Sequence, residues 1–202
     1  MTKLKVLVEG YAREFDDHEE VSPSVVLIDN GKSKIIVDPG CDRRAMLDAL
    51  AAQGLTTGQI DIVLLTHTHL DHCILAGMFE NASVLDDSDI YPQNSQIRRQ
   101  DETTLGPDIQ TVSTPGHDQF HCSVIVKTED MDKVVVAGDI FWWLDGEEPA
   151  KDIDALLNLE DPYVKDEAAL RDSRIKILEI ADYIIPGHGK MFKVERQIVT
   201  LQ

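Results

Sequence analysis

Short apolar runs, each cut off by turn-forming residues, set the rhythm of this chain. Val25-Val26-Leu27-Ile28 and Lys34-Ile35-Ile36-Val37-Asp38 read as two strands joined through Asp29-Asn30-Gly31-Lys32, whose Asn-Gly pair suits a tight hairpin. Pro39-Gly40 stops the second strand. Residues 43–53 place Met46, Leu47, Leu50 and Ala51 at helical spacing, with Gly54 as the stop. The run Asp61-Ile62-Val63-Leu64-Leu65 predicts a buried strand, and Asp71 opens a short helix through Ala76. Further strands are expected at 83–85, 109–113, 123–127, 133–137 and 183–185, and a long amphipathic helix at 166–180 with Leu170, Ile175, Leu178 and Ile180 on its buried side. The start, 1–10, reads as a short strand. Residues 11–20 read as an acidic loop, and 145–165 as a long acidic surface connection punctuated by Pro149 and Pro162.

Composition bounds the answer further. The 202 residues predict one domain over 1–202, and 43% hydrophobic residues suffice for a folded core despite 28% charged ones. The net charge of −18 opposes a strong autonomous nucleic-acid binder, because phosphate backbones are gripped by Lys and Arg. Two bound divalent cations would leave it strongly negative. No apolar run approaches the ~18 residues of a membrane span, so no membrane partner is expected, and the start lacks the pattern of a signal peptide. Cys41, Cys73 and Cys122 lack CxxC spacing, which disfavours a disulfide framework and makes a cytoplasmic location the default.

The candidate chemistry lies in the histidines. Five of the seven fall in Thr66-His67-Thr68-His69-Leu70-Asp71-His72, Pro115-Gly116-His117 and Pro186-Gly187-His188-Gly189, with Ala137-Gly138-Asp139 between the last two. These segments follow predicted strands, where a rigid sheet can hold loop side chains in place. His67 and His69, two apart, can face one way off an extended segment, while Asp71 and His72 turn elsewhere as a helix begins. Five imidazoles and two carboxylates suffice for two metal ions. The donor set suits zinc, and iron or manganese less exclusively.

His67 to His72 matches the HxHxDH signature without a substitution, and on it the chain resembles the metallo-beta-lactamase superfamily. From Thr114 onward it is most similar to the metallo-beta-lactamase domain-containing protein 1 family, through Thr114-Pro115-Gly116-His117, Val134 to Phe141, Asp172-Ser173-Arg174 and Ala181 to Gly189. The resemblance implies an α+β fold, a four-layer αββα sandwich of two mixed sheets flanked by helices. It implies that His67, His69 and His117 hold one zinc, that Asp71, His72 and His188 hold the other, and that Asp139 bridges them. A metal-bridging hydroxide is then the nucleophile, with Asp71 as the catalytic residue orienting it. Asp38, before Pro39-Gly40, resembles the superfamily's first motif and is expected behind a ligand histidine rather than in the chemistry.

The resemblance implies a hydrolase whose bond type is open: phosphodiester, ester, thioester or lactone. The family is associated with cleavage of RNA, so the substrate is either a small molecule or a single-stranded nucleic acid. The alternative is a mononuclear iron dioxygenase of the persulfide dioxygenase type, in which two His and one Asp hold iron. Asp139 stands where true beta-lactamases have Cys or Ser, and only 14 residues follow His188, too few for the helical substrate domain of glyoxalase II. Around the site, Trp142 and Trp143 are candidates for an apolar lip or for core packing, and the 11–20 loop is expected to hang over the centre. Arg98-Arg99 reads as a surface pair, His18 and His121 as surface or satisfied polar residues, and Cys73 as a small buried hydrophobe. Pairing of sheet edges makes a homodimer an expectation.

Overall fold

The computed structural model describes residues 2–94, 96–101 and 104–195; Met1 of the predicted first strand and residues 196–202 of the predicted unit lie outside them. The chain runs through β1 (Lys3–Val8), β2 (Tyr11–Glu14), β3 (Glu19–Ser22), β4 (Val25–Asp29), β5 (Lys34–Val37), α1 (Arg43–Ala51), β6 (Ile62–Leu64) and the one-turn α2 (Leu70–Cys73). Next come β7 (Ser83–Leu85), β8 (Asp89–Tyr91), β9 (Arg98–Arg99), β10 (Ile109–Ser113), β11 (Cys122–Thr128) and β12 (Asp132–Gly138). The last elements are α3 (Ile153–Leu157), α4 (Glu167–Ile180), β13 (Tyr183–Pro186) and β14 (Phe192–Lys193).

Two mixed sheets carry the fold. The first has the order β1-β4-β5-β6-β7-β8-β9 and the second β10-β11-β12-β13-β14. Their central strands explain the apolar runs, because each is covered on both faces. Val26 and Ile28 of β4 point between the sheets, toward Val134 and Val136 of β12. Their neighbours Val25 and Leu27 point outward onto Met46 and Leu50 of α1. On the far side, Val135 and Ala137 of β12 meet Ile177 and Leu178 of α4. Helix, sheet, sheet, helix is the αββα arrangement expected.

Four expectations need correction. Residues 11–20 are not a loop: β2 and β3 pair as a hairpin from Tyr11↔Ser22 to Glu14↔Glu19. Residues 145–165 contain α3, whose Leu156 is buried in the core, and Asp161, also buried. Ile175 is exposed, because the buried face of α4 runs through Leu170, Ser173, Arg174, Ile177 and Leu178. Arg174 joins that face because its guanidinium donates to the carbonyls of Ile140 (2.8 Å) and Leu159 (2.6 Å). The 71–76 helix is one turn followed by a 3-10 turn at Ala76–Met78. Among the described residues, no helix is long and apolar enough to cross a membrane.

Candidate metal centre

The sheets are pinned together where the motif begins. The Cys122 amide donates to the Thr66 carbonyl at 2.8 Å, which sets the end of β6 against the start of β11. α2 starts directly after His69, so Asp71 and His72 swing away from His67 and His69, as the spacing suggested. The opposite wall comes from the ends of β12 and β13. Gly138 has φ +58, and a Cβ on Gly187 would lie 1.7 Å from Asp139 Oδ1. Both glycines are therefore required for Asp139 to reach the centre.

Each buried imidazole is oriented from behind by an acceptor. His72 Nδ1–H donates to Asp38 Oδ2 (2.9 Å), and Asp38 also accepts from the Thr66 amide and hydroxyl (2.8 and 2.7 Å). The Thr66 proton is thereby committed, so His67 Nδ1–H donates to Thr66 Oγ1 (3.0 Å). His117 Nδ1–H donates to Asp161 Oδ2 (2.7 Å), and His188 Nδ1–H to the carbonyls of Ser22 (2.9 Å) and Tyr11 (3.1 Å). With Nδ1 protonated in all four rings, the Nε2 lone pairs face inward.

Those lone pairs converge on a carboxylate. Asp139 Oδ1 is 3.2 Å from His72 Nε2, and Oδ2 is 3.4 Å from His117 Nε2 and 3.7 Å from the Nε2 of His67 and of His188. Asp71 Oδ2 stands 3.4 Å from His188 Nε2 and 3.5 Å from His72 Nε2. His69 Nδ1 is 3.1 Å from His117 Nε2. Donor atoms fall into two groups, His67–His69–His117–Asp139 and Asp71–His72–His188, each within 4.8 Å. Buried His67 Nε2, His72 Nε2 and Asp139 Oδ1 have no hydrogen-bond partner. Lone pairs held this close repel unless something positive lies among them, so the residues fit a cation centre.

In the metal-free protein, protons on Nε2 meet the same demand for positive charge. Burial would push His188 and His72 down, yet facing Asp139 outweighs it, lifting His188 to about 9 and His72 well above its usual range, where Asp38 adds its charge. Burial would raise the Asp139 carboxyl, but His72 and His188 hold it well below the ordinary carboxylate range. Burial lowers His67, and the neighbouring imidazoles of His72, His121 and His117 lower it further.

A cavity of about 200 Å³ opens over the centre. One wall is the β2–β3 hairpin, through Ala12, Arg13, Glu14, Glu19 and Val21; the other is Trp142, Leu144 and Tyr163. The hairpin does overhang the site. The two tryptophans divide the readings between them: Trp142 lines the cavity, while Trp143 is buried against Phe141 and Phe192. Arg13 is the cation lining the cavity among the described residues, and it is paired with Asp145 (2.8 Å) and Glu20 (3.4 Å). Arg98 and Arg99 are exposed on the edge strand β9, away from the cavity lining.

All seven predicted ligand positions meet here, with Asp38 behind His72. The sequence reading missed Asp161, whose only local signal is a carboxylate before Pro162. It also left His121 without a task. His121 is buried and satisfied: Nε2 accepts the Asp139 amide (3.1 Å), and Nδ1–H donates to Thr114 Oγ1 (2.9 Å). Burial drops its pKa to about 3, so a neutral imidazole holds the backbone of Asp139. Cys73 is half-buried, and no cysteine belongs to either donor group.

Residues 18–86 match the family model described as the metallo-beta-lactamase superfamily. The mouse protein named metallo-beta-lactamase domain-containing protein 1 is 34% identical over 98% of this chain and 77% of its own length. Its rat counterpart is 36% identical over 83% of this chain and 66% of its own length. Among solved structures, a Thermotoga maritima protein of the metallo-beta-lactamase class superposes with a TM-score of 0.73 at 20% identity, covering 95% of this chain and 99% of that one. AidC, a dizinc quorum-quenching lactonase, gives 0.67 at 16% identity over 90% of this chain and 79% of its own. At these identities the superpositions establish the fold.

Proposed function

The chain belongs to the metallo-beta-lactamase superfamily, in the family of metallo-beta-lactamase domain-containing protein 1, and on that ground we propose that it is a hydrolase working with two zinc ions. The carrying observation is the convergence of buried, unpartnered His67 Nε2, His72 Nε2 and Asp139 Oδ1. His67, His69 and His117 would hold one cation and Asp71, His72 and His188 the other, with Asp139 between them. Mixed nitrogen and oxygen donors favour zinc, and the dizinc lactonase of the same fold is consistent with it. Such a pair supplies a water of lowered pKa and Lewis acidity at the scissile group.

The chain's own residues do the rest. Asp71 lines the cavity, and although burial would raise its carboxyl, the facing rings of His188 and His72 keep it below its ordinary range. It therefore stands ionised, able to orient the attacking water and receive its proton. Trp142, Tyr163, Leu144 and Val21 give the substrate an apolar wall and exclude water.

The substrate proposed is a small ester, thioester, lactone or phosphodiester, neutral or cationic overall, rather than a nucleic-acid strand. Glu14 and Glu19 line the cavity, Arg13 is already paired, and the whole chain carries −18. A polyanion longer than the group held at the centre would meet repulsion along the cavity wall, where no unpaired Lys or Arg is among the described lining residues.

Metal content of gently purified, untagged protein by inductively coupled plasma mass spectrometry tests the reading. Two zinc per chain, with hydrolysis of one of these small substrates abolished by a chelator and restored by zinc, is the expected result. One iron per chain, with oxygen uptake on persulfides, would overturn it in favour of a dioxygenase.

A further inference from the structure

We propose that Asp161 is a positioning residue that couples the cation centre to the substrate wall, one carboxylate oxygen serving each; this rests on the reading of the site as a cation centre. Asp161 lies in the segment between α3 and α4, and its side chain is 1% exposed. Oδ2 faces the centre and accepts His117 Nδ1–H at 2.7 Å. Oδ1 faces the cavity wall and accepts the Tyr163 amide at 3.0 Å and the Trp142 indole N–H at 3.4 Å. Trp142 and Tyr163 stand with ring centroids 5.9 Å apart, and the Trp142 ring meets His188 edge-on at 6.3 Å.

The backing of the other imidazoles shows what this adds. His67 leans on a hydroxyl and His188 on two carbonyls; a carboxylate stands behind His72 in one donor group and behind His117 in the other. A carboxylate fixes the ring's rotation and tautomer and makes its Nε2 a better donor to a cation. The same group, by holding the indole N–H, fixes the face that Trp142 offers to a substrate. Rotation of Asp161 cannot loosen one without loosening the other, so cation retention and wall geometry are linked through a residue that touches neither cation nor substrate.

Cobalt(II) titration of metal-free protein, followed by visible absorption and by tryptophan emission, tests this with Asp161→Ala and Asp161→Asn. The wild type is expected to take up two cobalt per chain. Asp161→Ala should keep one site and weaken the other about 10–100-fold, with an altered cobalt spectrum and shifted emission. The emission shift should vanish in a Trp142→Phe background. An amide accepts at one end only, so Asp161→Asn can satisfy His117 or the Trp142–Tyr163 pair but not both. It should fail one readout and keep the other, which decides the matter if the Ala variant does not fold. Wild-type protein that binds no cobalt overturns the cation centre and this inference with it. Folded Asp161 variants that match a two-cobalt wild type in affinity, spectrum and emission overturn the role of Asp161 alone.

Discussion

Asp38 and Asp161 do the same task at opposite sides of the centre, by different means. Asp38 follows β5, next to the parallel strand β6, and accepts three hydrogen bonds at 2.7–2.9 Å while sitting at φ +48. That backbone region is uncommon for residues other than glycine. Asp38 is thus woven into the first sheet, and the Thr66 it holds accepts the amide of Cys122, the first residue of β11 in the second sheet. Asp161 reaches His117 from a connection between helices, and its other oxygen faces the cavity wall. Integrity of the fold and orientation of a ligand are one property at Asp38 and separable properties at Asp161. Substrate walls can change around the second carboxylate while the first remains tied to the framework.

The strongest way to break this comparison is to remove what both sides share. Asp139 lies within 3.7 Å of an imidazole from each donor group. Asp139→Asn should lose one of the two metals and most turnover, a larger effect than the roughly 10–100-fold typical of replacing a group behind a ligand. Zinc stoichiometry and turnover check it. Two zinc with full turnover would show that Asp139 is not shared.

A smaller effect separates the two sides by stability. Asp38→Ala leaves a buried imidazole and the Thr66 amide without their acceptor and places alanine at positive φ. Breaking a buried pair of this kind costs about 3–5 kcal/mol. Asp38→Asn should cost less, since Asn tolerates the left-handed region and keeps an acceptor. Asp161→Ala should cost about 1–3 kcal/mol, the range for leaving a buried partner unsatisfied. Urea denaturation of the metal-free proteins gives the order, and equal losses at Asp38 and Asp161 would erase the distinction drawn here.

The same contrast explains what was legible in the sequence. β4, β5, β6 and β12 announce themselves because strands covered on both faces must be apolar throughout, and the ligands follow strands whose ends the turn residues mark. Asp38 was visible because its place at a strand end before Pro39-Gly40 resembles the superfamily's first motif. Asp161 was not, because nothing local distinguishes a carboxylate before Pro162 from a solvated one until α3 and α4 are packed. The hairpin was missed for a related reason: between Tyr11 and Ser22 only Ala12 and Ser22 are buried, so its alternation carries no apolar signal. On α4 apolarity misled, since the exposed Ile175 looks like core while the buried Arg174 does not; the carbonyls that accept from Arg174 come from Ile140 and Leu159, remote in sequence.

The smallest expected effect sharpens the comparison most. Trp142→Phe keeps an aromatic ring at the cavity wall and removes only the N–H that Asp161 Oδ1 accepts at 3.4 Å. Asp161 retains the Tyr163 amide on that oxygen and His117 on the other, so little stability is lost, about 0.5–1.5 kcal/mol for a single hydrogen bond. Cation stoichiometry should be unchanged. The freed ring can rotate, so KM for the small substrate should rise a few-fold while kcat holds, since the reacting groups have not moved. A fall in kcat with KM constant would instead place Trp142 among the groups that act in the transition state, and the wall would then belong to the chemistry rather than to recognition.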